Sequence, residues 1–179
     1  VNLKELMSTY TSKSRTVLLI RSAGSVGEEW KNFERGFMDY GYKVIRPALR
    51  HHQLKEPNPR VGNLSLNDYI SNLEELVKRL DDGPIIIGHS MGGLIALKLF
   101  EKGLADLGIF ITPAAPKGIN AISVSVLRIF ILNIFRWKFW NNPLPPRYKS
   151  ARYGFLHDLS ETQAKEVFEI SNSAESGRA

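Results

Sequence analysis

The chain has 179 residues, 43% of them hydrophobic, enough to bury one sizeable core and short for two, so a single domain over 1–179 is expected. It contains no cysteine, which excludes disulfides, thiolate metal sites and a cysteine nucleophile. Its net charge of +6 is concentrated: no acidic residue stands between Asp106 and Asp158, whereas Lys117, Arg128, Arg136, Lys138, Arg147, Lys149 and Arg152 all do, so a general nucleic-acid surface is not expected.

Val1 to Leu6 mixes charged and apolar residues and lacks the apolar run of a signal peptide, so a cytoplasmic location is the expectation. Thr16 to Ile20 is a β-branched and apolar run ending in the glycine-rich stretch from Arg21 to Gly27, a buried strand entering a loop. Trp30, Phe33, Phe37 and Met38 share one helical face, and Gly41 suits the left-handed stop after it. Tyr42 to Arg46 reads as a second strand closed by Pro47, and 48–64, with two histidines and further prolines, as a surface excursion.

Ser65 with Asp68 forms a variant capping box, and Leu66, Ile70, Leu73, Val77 and Leu80 make a helical apolar stripe. Pro84 to Ile87 is a strand without polar alternation, as expected where helices cover both faces of a parallel sheet. A helix over 92–101, a stop at Gly103 and a fourth strand over 108–112 complete a βαβαβαβ order. Beyond Pro113, the segment from Ala121 to Trp140 is rich in Ile, Val, Phe and Trp but too interrupted by charge to read as a membrane span. Asn141 to Pro146 is a break, and Ser160 with Gln163 opens a last helix from Glu161 to Ile170.

The chemistry centres on Gly88-His89-Ser90-Met91-Gly92, a Gly-x-Ser-x-Gly turn standing directly after a buried strand and directly before a helix. Such a turn strains its middle residue, and glycines two positions either side let helix and strand approach. Ser90 is thereby expected to project beyond the strand end beside the helix N-terminus, as a nucleophile. His89 points elsewhere on so sharp a turn and is expected to pack rather than act as a base. Neither the dinucleotide-binding nor the P-loop glycine spacing is present, and no cofactor or metal is implied.

With that elbow, the glycine-rich loop after Leu19-Ile20, the run from Tyr42 to Pro47 after Gly41, and the run from Ile111 to Pro116, residues 16–119 resemble the core of the α/β-hydrolase family. The resemblance implies a parallel sheet with flanking helices, a helical cap over 120–170, and neighbouring strands at 16–20 and 84–87. It further implies an oxyanion hole from the backbone N–H groups of Met91 and Ala23, with Ser22 or Gly24 as alternatives to Ala23. Arg21-Ser22 replace the family's usual His-Gly, and Arg21 is expected to bring a charge to the site rim. In relatives an Asp or Glu and then a His follow the serine, on later strands.

No base or acid is identified here. His157, beside Asp158, lies in the cap-like part; His51 and His52 precede the serine; and Asp106 stands at the wrong end of its strand. The chain therefore reads as lacking the C-terminal strands, a truncated serine hydrolase acting on an ester-like substrate. Ile122, Val126, Ile129, Phe130, Phe135, Trp137 and Trp140 would serve as core or as walls for an apolar acyl or aromatic substrate. An uncovered core would favour self-association. The alternative is a non-catalytic remnant or binding module whose basic-aromatic segment, 121–152, docks on an anionic membrane surface or a partner.

Overall fold

The structure, a computed structural model, describes residues 15–52, 58–120, 124, 128, 129 and 141–179. Strand β1 (Thr16–Ile20) lies inside a four-stranded parallel sheet, between β2 (Lys43–Ile45) and β3 (Ile85–His89), with β4 (Leu107–Ile111) beyond β3. Val17 stands opposite Val44 on one side and Ile85 on the other, and Ile86 pairs with Gly108. The strands at 16–20 and 84–87 are thus neighbours, as the resemblance implied.

Side chains alternate across a strand, so an unbroken apolar run serves two cores at once. Leu18, Ile20 and Ile86 face one of them, built with Tyr69, Ile70, Leu73 and Val77 of helix α2 (Leu66–Val77) and Ile95 and Leu99 of helix α3 (Met91–Glu101). Val17, Leu19, Ile85 and Ile87 face the other, closed by Trp30 and by partly buried Phe37, Tyr42 and Val44. Helix α2 starts where the sequence places it: Ser65 and Asp68 form a reciprocal capping box that satisfies the first backbone donors.

Helix α1 (Lys31–Asp39) departs from its sequence pattern. Trp30 belongs to a 3-10 turn (Glu28–Trp30) ahead of it and is buried, while Phe33 and Met38 are 49% and 58% exposed and Phe37 is the helix residue packed against the core cluster. The stretch 48–64 is also more than a surface excursion. Leu49, Val61 and Leu64 are buried, and a 3-10 turn (Pro59–Asn63) packs against strand β5 (Pro143–Leu144). A Cβ on Gly62 would stand 2.4–2.6 Å from the backbone of Asn142 and Pro143, so glycine is what permits that contact.

Helix α4 (Tyr148–Gly154), helix α5 (Glu161–Ser171) and strand β6 (Glu175–Ser176) follow, with β6 antiparallel to β5. Ser160 and Gln163 cap α5 reciprocally, as their spacing indicates. Ile122, Val126, Phe130, Phe135, Trp137 and Trp140 lie outside the described residues. Among the described residues no helix is long and apolar enough to cross a membrane.

Two substitutions of opposite sign check this packing. Leu99→Ala, in a fully buried position, should cost about 2–5 kcal/mol in chemical denaturation. Gly36→Ala on α1, where a Cβ meets nothing within 4 Å, should stabilise by roughly 0.4–1 kcal/mol.

Candidate active site

Strand β3 runs into Ser90, whose φ of 53° and ψ of −119° place a non-glycine residue in a conformation that costs about 1–3 kcal/mol. The surroundings hold it there. Ser90 N–H donates to the Ile111 carbonyl (3.1 Å), while its own carbonyl accepts from Leu94 N–H (3.1 Å) and Ala114 N–H (2.9 Å). The turn also depends on two absent side chains. A Cβ on Gly88 would lie 2.1 Å from the Gly92 carbonyl oxygen, and one on Gly92 would lie 2.4 Å from the carbonyl oxygens of Ile20 and Arg21.

Helix α3 therefore begins in direct contact with the C-terminal end of β1. The Ser90 side chain makes no capping bond to that helix, so its hydroxyl is not consumed by the turn that displays it. Met91 N–H opens the helix beside it, where unsatisfied donors and the helix dipole favour negative charge. His89 is the last residue of β3, paired with Ile111, and is not hydrogen-bonded to Ser90 among the described residues.

The loop after β1 is organised by a charge turned inward. Arg21 is 5% exposed, so the expectation of a cation at the site rim is corrected: its guanidinium folds beneath the loop and donates to the carbonyls of Ser22 (3.0 Å) and Ser25. Burial depresses the Arg21 pKa, and the neighbouring Glu175 opposes that shift. Ser22 N–H donates to the Glu29 carboxylate (3.3 Å), and Gly24 N–H to Glu175 Oε2 (3.3 Å). Of the three candidate oxyanion donors, only the Ala23 N–H has no hydrogen-bond partner among the described residues. Ala23 is exposed.

The alpha/beta hydrolase family matches residues 17–174, nearly the whole chain. The chain belongs to that family. No curated protein is similar enough in sequence to count as a relative. Among solved structures, it is similar to an extracellular alpha/beta-hydrolase from a Paenibacillus species, described as sharing structural and functional homology with Tobacco Salicylic Acid Binding Protein 2 (TM-score 0.67, 19% identity, 89% of this chain and 66% of that one). The thioesterase domain from the curacin biosynthetic pathway gives a TM-score of 0.59 at 17% identity, over 92% of this chain and 65% of that one. For the Paleococcus ferrophilus monoacylglycerol lipase the TM-score is 0.56 at 18% identity, over 91% of this chain and 62% of that one. At such identities the likeness shows the alpha/beta hydrolase fold, and this chain spans about two thirds of these structures.

Within this alpha/beta hydrolase, sequence reasoning overlooked one functional-looking residue. Glu175 is buried at the far end of the chain and gathers four groups from three segments: Tyr69 O–H (2.5 Å), His52 Nε2 (3.4 Å), Arg21 Nη2 (3.6 Å) and Gly24 N–H. Nothing local in Ala174-Glu175-Ser176 signals this, because apart from the adjacent Ser176 N–H these partners are more than 100 positions away. Burial pushes the Glu175 carboxyl up, but the bond and charge of His52, the Arg21 charge and the Tyr69 bond outweigh it, bringing its pKa to about 2. Burial and the neighbouring carboxylate push the Tyr69 phenol well above its ordinary range.

The histidines do not complete a triad with Ser90. His52 Nδ1 faces the Arg50 carbonyl (3.0 Å) and Nε2 the Ala174 carbonyl (3.2 Å) and Glu175, so neither nitrogen is free to receive a serine proton. His157 lies 3.5 Å from Asp158, with side chains 62% and 91% exposed. His51 sits in a turn at φ 64°. Asp106 precedes β4, at the sheet end away from Ser90, where it approaches Gly83. A cavity of about 340 Å³ lies behind the first loop, lined by Arg21, Trp30, Glu34, Arg46 and His52 but not by Ser90. Of the basic segment's described cations, Arg128 stacks over Tyr153 at 4.3 Å, and Arg152 binds the carbonyls of Leu156 and Leu159.

The depressed Glu175 pKa has a consequence for stability. Its contribution is present above the ordinary glutamate value of 4.5 and is lost as pH falls from there through about 2, because protonation removes the negative partner of Arg21 and His52. Denaturant midpoints measured at pH 6 and pH 3 should fall more for the natural chain than for Glu175→Gln, which has no such proton to take up.

Proposed function

We propose that this chain is a serine hydrolase acting on an ester-like substrate, a carboxylester, lactone or related acyl compound, with Ser90 as its nucleophile. The observation that carries the reading is the strained Ser90 backbone with its hydroxyl left out of helix capping at the start of α3. Strain of this kind persists only where surrounding contacts enforce it. Here they do so through Ile111, Ala114, Gly88 and Gly92. An esterase, a lipase and a thioesterase among the structural neighbours agree with acyl chemistry.

In this mechanism, Ser90 Oγ attacks the acyl carbon, the carbonyl π bond opens onto oxygen, and that oxygen is held by the N–H groups of Met91 and Ala23. The support for Ala23 over its neighbours is that the Ser22 and Gly24 N–H groups already donate hydrogen bonds to carboxylates. Gly88, His89 and Gly92 shape the elbow and do not react. No described histidine is hydrogen-bonded to Ser90, so the proton leaving Oγ passes to solvent water. Collapse of the tetrahedral species breaks the bond to the leaving oxygen, which takes up a proton from water, and a second water then releases the acid from Ser90. In serine hydrolases that lack a triad member, the oxyanion hole and substrate binding alone still accelerate acyl transfer by roughly 10³–10⁴ over water. The apolar segment 120–140 favours an apolar acyl or aromatic group on the substrate.

A second reading, a non-catalytic remnant or binding module, draws on the same lack of a base beside Ser90. A fluorophosphonate probe separates the two. Slow covalent labelling of the folded chain, abolished by Ser90→Ala, is expected for the hydrolase; a folded chain showing no Ser90-dependent labelling would be the non-catalytic scaffold.

A further inference from the structure

The first loop is fastened along both edges. On one side Glu29 accepts from Ser22 N–H and from the hydroxyls of Ser22 and Ser25. On the other, Val26 N–H donates to the Ser171 carbonyl (3.0 Å), Ser173 N–H donates to the Gly24 carbonyl (2.8 Å), and Glu175 accepts from Gly24 N–H. Underneath, the buried Arg21 guanidinium holds two loop carbonyls and meets Glu175. The chain from the last residue of α5 onward thus returns across more than 140 residues to contact the loop beside the elbow.

We propose that Glu175 is a positioning residue for the oxyanion hole: acting on Arg21 and Gly24, it holds the loop in the form that leaves the Ala23 N–H uncommitted. The inference rests on the reading of Ser90 as nucleophile. Three physical points carry it. A buried guanidinium needs a counterion, and Glu175 is the buried carboxylate beside it. Glu175 is itself fixed, since Tyr69 of α2 and His52 hold the same carboxylate, so it transmits the position of the core to the loop. Finally, the Arg21 carbonyl is one of the two oxygens against which Gly92 packs, so the base of the loop and the first turn of α3 share a contact surface. A displaced Arg21 moves both proposed donors.

A role in mere folding would lower the amount of active protein without altering the chemistry of what remains. A role in positioning lowers the rate of attack while leaving probe affinity alone. The test is the kinetics of fluorophosphonate labelling, resolved into the maximal rate kinact and the half-saturating concentration KI, for the natural chain, Glu175→Gln, Tyr69→Phe and the surface control Glu169→Gln.

Removing one oxyanion donor typically costs about 10²–10³ in rate, so a donor left in place but misaligned should cost on the order of tenfold. Glu175→Gln should therefore lower kinact about tenfold with KI within twofold, and Glu169→Gln should change neither. If Glu175→Gln does not fold, Tyr69→Phe, which keeps the ring and removes only the hydroxyl bond to Glu175, should lower kinact in the same way. A natural chain that labels, with folded variants whose kinact is unchanged or whose loss is confined to KI, overturns this inference and leaves Ser90 standing as nucleophile. A natural chain that does not label overturns both.

Discussion

The close approach of the first turn of α3 to the end of β1 is the constraint on which the rest of the site depends. Two backbone segments meet at a distance that no Cβ could survive, at Gly88 against the Gly92 carbonyl and at Gly92 against the carbonyls of Ile20 and Arg21. Because strand and helix are pressed together, the residue between them cannot turn gradually, and Ser90 takes up the left-handed strain. The parallel sheet makes this affordable: β1, β3 and β4 are hydrogen-bonded in sequence, and their alternating side chains anchor two separate cores. Strain at one residue is small against that burial.

The second organising feature is a buried charge. A cation after a strand end would ordinarily turn toward water, since an unpaired buried guanidinium is expensive. Arg21 instead turns inward toward the Glu175 carboxylate, which Tyr69 and His52 hold in place, and the loop wraps around its guanidinium through carbonyl bonds. That arrangement explains how a loop lacking the family's His-Gly pair still takes a definite shape. Its shape is tied to an internal ion pair and to the hydrogen bonds around it.

Much of the architecture was legible in the sequence, for local reasons. The two capping boxes, Ser65 with Asp68 and Ser160 with Gln163, act over three residues, and the apolar strands announce themselves by composition. The elbow could be read because its glycines and its strand-to-helix context are contiguous. What was hidden is non-local. Leu49, Val61 and Leu64 are buried by contacts with distant segments, so a proline-rich stretch that reads as surface contributes to the core. Phe33 and Met38 obey a helical period yet face outward, since periodicity shows which residues align and not what covers them. Glu175 was invisible for the same reason, its partners Arg21, Gly24, His52 and Tyr69 being scattered over residues 21–69.

The chain belongs to the alpha/beta hydrolase family and spans about two thirds of the solved structures it resembles. Its described part holds a strained serine, a helix N-terminus and one uncommitted loop amide. The central claim is that these three converge on one reacting atom. A crystal structure of the chain after reaction with an alkyl fluorophosphonate tests it most directly. The expected result is phosphorus bonded to Ser90 Oγ, with the phosphoryl oxygen within hydrogen-bond reach of the Met91 and Ala23 N–H groups. An adduct on another residue, or a phosphoryl oxygen turned away from both amides, would contradict it.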